Sequence, residues 1–223
     1  MTVRPALVAL LALLGLGSVA VPVPPPDLRA EFWTDLDGIP RDGEEYPISD
    51  AEAARRILDE AAWVFSGMVD GFDFEWTPAN TGRKIDESFT LLPLGSIQRG
   101  DPRLVPGAAR HGPDRMSAWV EFQPDESDAR SLESSRGAGW KSSQGMGGVD
   151  RMRGYVGRRE SYIAAIKSGI ENYLRSVEPS RPRVARGRVA IGAPPTLAIV
   201  GGEYRVQARL RIEFAEIRRW SIF

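Results

Sequence analysis

The chain has 223 residues, one histidine, no cysteine and a formal net charge of −1 at neutral pH. The missing thiols exclude disulfides, cysteine nucleophiles, zinc–thiolate sites and iron–sulfur clusters. A single histidine cannot complete an ordinary zinc site, so no metal and no cofactor is expected. A chain of this size can bury a core without covalent staples.

Arg4 precedes an apolar run from Pro5 to Gly17, and Ser18-Val19-Ala20 is a small-x-small site. A charged start, a short apolar run and small residues at its end form the pattern of a secretory signal, with cleavage expected after Ala20. The run is shorter than the roughly twenty apolar residues that a spanning helix needs. The prolines of VPVPPP, 21–26, also keep it from continuing as a helix. Residues 1–20 are therefore read as a signal peptide. The mature chain is expected in a bacterial periplasm or beyond it, with no transmembrane span. Nucleic acid is a poor partner in that compartment.

Residues 21–48 read as a Pro-rich extended arm, with Phe32 and Trp33 as points of attachment. Ser49 followed by Glu52 is a capping box. Ala54, Ile57, Leu58, Ala61, Phe65 and Met68 then form one stripe of a helix that Gly71 ends. Arg55, Arg56, Asp59 and Glu60 fall mostly off that stripe. From Phe72 to Thr77 apolar and polar residues alternate strictly, the mark of a half-buried strand. A second strand is expected within Ile85–Ile97, a loop over 98–113, and a third strand over Met116–Gln123. The polar, glycine-rich stretch 125–149 reads as a long loop.

From Asp150, as N-cap, Tyr155, Tyr162, Ile166, Ile170 and Leu174 recur at helical spacing until Pro179. Three strands follow: Val184–Ile191, Thr196–Val200 and, after the turn at Gly201-Gly202, an alternation from Tyr204 to Phe214. The order is helix, three strands, helix, three strands. It predicts a two-layer α+β domain over 49–223, with antiparallel sheets and helices on one face. It also admits two α-β-β-β halves, 49–124 and 150–223, joined by the loop.

Charge is unevenly spread. Asp27 to Asp150 holds 24 acids and 13 bases, whereas Arg151 to Phe223 holds 6 acids and 15 bases. Two consequences are open: a basic face that binds anions, or two halves that neutralise each other. Candidates for the face are Arg205, Arg209 and Arg211 on one side of the last strand, with Arg183, Arg186 and Arg188 shortly before it. The anions of an envelope are lipid head groups, lipopolysaccharide phosphates and peptidoglycan carboxylates.

Catalytic constellations are few. His111 lies in a Gly/Pro/Arg stretch, with no Gly-x-Ser-x-Gly elbow and no Ser-x-x-Lys in the chain. Gly145-Met146-Gly147-Gly148 ahead of a helix could offer N–H groups to an anion, but lacks the Lys-Ser/Thr ending of a P-loop. Asp73 and Glu75 leave one strand face about 6.5–7 Å apart. That spacing suits inverting glycosidases, with Trp76 or Trp119 as a sugar platform. The leading expectation is a non-enzymatic envelope or periplasmic module that binds a partner protein or an anionic envelope component. The alternative is a carboxylate hydrolase acting on envelope glycans.

Overall fold

A computed structural model describes residues 28–38, 46–177 and 183–219. The signal segment, its expected cleavage site at Ala20 and the first part of the arm lie outside the described residues. In chain order the elements are β1 (Arg29–Asp35), α1 (Asp50–Val69), β2 (Phe72–Thr77), β3 (Ser88–Pro93), β4 (Leu104–Pro106), β5 (Arg110–His111) and β6 (Arg115–Phe122). They continue with α2 (Glu126–Ser134), β7 (Lys141–Asp150), α3 (Gly154–Val177), β8 (Arg183–Ile191), β9 (Thr196–Val200) and β10 (Glu203–Arg219).

The Ser49 hydroxyl accepts the Glu52 N–H at 3.2 Å and starts α1. Gly71, at φ +76°, follows the helix; a Cβ there would lie 2.7 Å from the Val189 carbonyl. Phe72, Phe74 and Trp76 then point inward, as the alternation requires. The large sheet runs β3-β2-β8-β10-β7, with β9 also paired to β10, and every pairing is antiparallel. Helices α1 and α3 cover one face, over a core that includes Phe72, Val189, Val206, Leu210 and Ile212. This is the expected α+β arrangement, one layer of helix on one antiparallel sheet.

A smaller sheet, β1-β6-β4 with β5 beside β6, packs on the other side of α1. Phe65 of α1 meets Phe32 edge-on at 5.7 Å and stacks with Phe122 at 6.2 Å. With a sheet on either side, α1 has little wet surface. Arg56 and Glu60, read from the sequence as off-stripe, are 7% and 5% exposed.

Three segments depart from the sequence reading. The arm contains β1, which pairs with β6 from Arg29↔Glu121 to Asp35↔Arg115. The loop 98–113 contains β4 and β5, both short additions to β6. The supposed loop 125–149 contains α2, capped by Asp125 and Asp128, and the ten-residue strand β7. Its glycines serve packing. A Cβ on Gly145 would lie 1.9 Å from the Ala165 carbonyl oxygen, and one on Gly147 2.2 Å from that of Ser161. Backbone contact with α3 therefore replaces the apolar side chains by which a strand is recognised. Gly145 to Gly148 are extended and paired with β10, not curled into an anion-binding nest. Asp150 caps the turn before α3, accepting the Met152 N–H at 2.8 Å. Because β2 pairs with β8, segments 49–124 and 150–223 share one sheet and one core.

Candidate functional site

The uncovered face of the large sheet brings both sets of predicted site residues together. Asp73 faces Arg188 and Glu75 faces Arg186 across the β2–β8 ladder. The Arg186–Glu75 ion pair is 2.6 Å long and the Arg188–Asp73 contact 3.7 Å. Glu213 and Glu216 of β10 flank the same two arginines from the other side. On their other side Asp73 lies opposite Leu92 and Glu75 opposite Thr90 of β3, and both acids are held in cross-strand ion pairs with arginine. Trp76 points to the opposite face, where its indole N–H donates to Glu87 at 3.1 Å. Trp119 belongs to the small sheet. The expected sugar platform is thus absent from beside these two acids.

Further along β10 the arginines have different neighbours. Arg205 pairs with Glu203 at 3.1 Å. Arg211 lies opposite Ser142 and Ala190 and donates to the Ser142 hydroxyl at 3.0 Å. Arg209 lies opposite Gln144 and has no ion-pair or hydrogen-bond partner for its side chain among the described residues. Small or neutral neighbours leave the surface low here. Arg209, Arg211, Ser142, Gln144 and Gly192 line an open depression of about 370 Å³. Arg183 is the first residue of β8, and its side chain lies outside the described part.

A second cluster, missed in the sequence, lies in the interior. The Glu60 carboxylate accepts from Arg158 Nε at 2.7 Å, from Arg158 Nη2 at 3.1 Å and from the Tyr162 hydroxyl at 2.9 Å. Arg158 also donates to the Trp33 carbonyl and stacks 4.1 Å from the Trp33 ring. Its Nη1 has no acceptor among the described residues. Nearby, buried Asp35 accepts from Arg151 at 2.9 Å and from the Tyr204 hydroxyl at 2.9 Å. Burial, reinforced by Glu60, raises the Tyr162 phenol well above its ordinary range; burial and then Asp35 push Tyr204 up to about 12. Each carboxylate is clamped by an arginine and a tyrosine, an arrangement that fixes β1 and α1 to the later elements. His111 is exposed, 3.8 Å from Asp50. Among the described residues no cluster of His, Asp and Glu could hold a metal ion, and no helix is long and apolar enough to cross a membrane.

A family model of uncharacterised proteins matches residues 25–220. The chain belongs to that family. The matched segment runs from before β1 to the end of β10, so the family region contains both sheets, the arginine-bearing face and the buried ion pairs. An uncharacterised protein of Treponema pallidum (strain Nichols) is 25% identical over 167 residues, 75% of this chain and 70% of that protein. No solved structure matches.

Proposed function

We propose that this family member is an exported, non-enzymatic binding module of the bacterial cell envelope, and that Arg209 and Arg211 hold an anionic group of an envelope lipid. One observation carries the reading. Arg186, Arg188 and Arg205 face carboxylates, whereas Arg209 and Arg211 face neutral groups and share a depression. Two side chains two residues apart on a strand leave the backbone about 6.5–7 Å apart. From that spacing two long, flexible side chains can converge on the oxygens of one phosphate, each adding charge-assisted N–H bonds. Export is read from residues 1–20.

The test is co-sedimentation of the purified mature chain with vesicles of phosphatidylcholine, with and without phosphatidylglycerol. Each arginine near an anionic surface contributes about 1 kcal/mol, so the double substitution Arg209→Gln/Arg211→Gln is expected to weaken binding by roughly tenfold or more. High salt releases the wild type, because screening shortens the reach of surface charge. Wild type that ignores phosphatidylglycerol, or a double variant that pellets equally well, overturns the proposal.

A further inference from the structure

We propose that the edge of β1 turned away from β6, which no described strand pairs, is a docking site for an extended segment of a partner protein, added as one more strand to the small sheet. In an antiparallel pair, alternate residues direct both main-chain groups toward the same neighbour. Phe122 N–H donates to the Leu28 carbonyl at 2.8 Å, and Leu36 N–H donates to the Asp114 carbonyl at 2.9 Å. Even-numbered residues of β1 therefore face β6, and odd-numbered residues face away. The Trp33 carbonyl follows this rule: it accepts from Arg158, on α3, and not from β6. The main-chain N–H and C=O groups of Arg29 and Glu31 point the same way and have no partner among the described residues.

These four groups open on a cleft of about 390 Å³ whose other wall is the Pro194–Leu197 stretch leading into β9. The far end is closed by Trp33, whose indole N–H donates to the Leu197 carbonyl at 3.3 Å. Charged side chains on an edge strand normally discourage pairing. Here both are drawn onto their own sheet. The Arg29 guanidinium lies 5.2 Å from the Trp119 ring centre, and Glu31 is ion-paired to Arg110. The edge is thus left to main-chain recognition, the mode in which an incoming strand supplies the missing donors and acceptors. Pro194, Pro195 and Leu197 give that segment an apolar wall.

The probe is a fluorescein-labelled Thr-Val-Thr-Val-Thr peptide, with a twin N-methylated at every residue so that neither edge of the strand can donate. Anisotropy is expected to show saturable binding of the first, and loss of roughly tenfold or more for the twin, given about 1 kcal/mol per hydrogen bond. Glu31→Pro removes an edge donor that takes no part in the β1–β6 ladder, and is expected to weaken binding without lowering the thermal midpoint. Should that variant unfold, the twin on wild-type protein still decides. Hydrogen exchange at the Arg29 and Glu31 amides is expected to be fast in the free protein and slowed by the peptide. No saturable binding at millimolar peptide, equal binding of the twin, or slow exchange at both amides in the free protein would each overturn the proposal.

Discussion

A buried carboxylate and guanidinium repay their desolvation only when further hydrogen bonds complete them. Glu60 meets that condition with three bonds, and Arg158 meets it except at Nη1. Removing one partner strands the other charge. Arg158→Met is accordingly expected to lower stability by about 3–5 kcal/mol in urea unfolding, while Glu60→Leu/Arg158→Met recovers most of the loss. Equal losses in the single and double variants would refute this account. The position was legible. Arg158 lies three residues after Tyr155 and four before Tyr162, on the stripe already identified, and Glu60 lies three after Ile57. Glu60 reads as mostly off its stripe and Arg158 does not stand out, because the sequence does not show that a charged partner waits inside. The same limit applies to Asp73 and Glu75. Alternation placed them on one face, but the arginines opposite belong to a strand more than a hundred residues later.

Elements with an apolar rhythm, such as α1, β2, β6, α3 and β10, were readable because burial imposes that rhythm. β7 was not, because its inward positions are glycines pressed on α3. The short helix α2 hides for a related reason: Leu132 is its one buried residue, although its Asp125…Asp128 cap stands in the sequence. The packing can be tested directly. Gly145→Ala forces a methyl group against α3 backbone and is expected to cost about 1–3 kcal/mol. Gly148→Ala is expected to cost much less, since its methyl would meet the mobile end of Glu203 at 3.0 Å. Equal shifts of the thermal midpoint would mean that the helix does not seat on those glycines.

Across the whole molecule, three tyrosines tie later elements to earlier ones. Tyr155 donates to the Arg56 carbonyl at 3.0 Å, Tyr162 to Glu60 at 2.9 Å and Tyr204 to Asp35 at 2.9 Å. Burial, first among the causes, pushes Tyr155 and Tyr204 to about 12 from an ordinary 10.0, and Tyr162 also upward. Below pH 10 these phenols are neutral whether the chain is folded or not. Above it the unfolded chain releases their protons first, so their contribution to stability declines as pH rises toward about 12. The urea midpoint is expected to fall across that interval, and to fall less steeply in Tyr162→Phe/Tyr204→Phe. A flat profile in the wild type would contradict the burial of these groups. The same wiring has a temporal side. The strand that β7, β8 and β9 all share follows them in the chain. A polypeptide delivered N-terminus first can pair β3, β2 and β8 early, but β7 and β9 join the large sheet only when Glu203–Arg219 arrives. The last strand of the chain is thus the one that locks β7, β8 and β9 together, a closure that includes contacts far apart in sequence, the kind that slows folding.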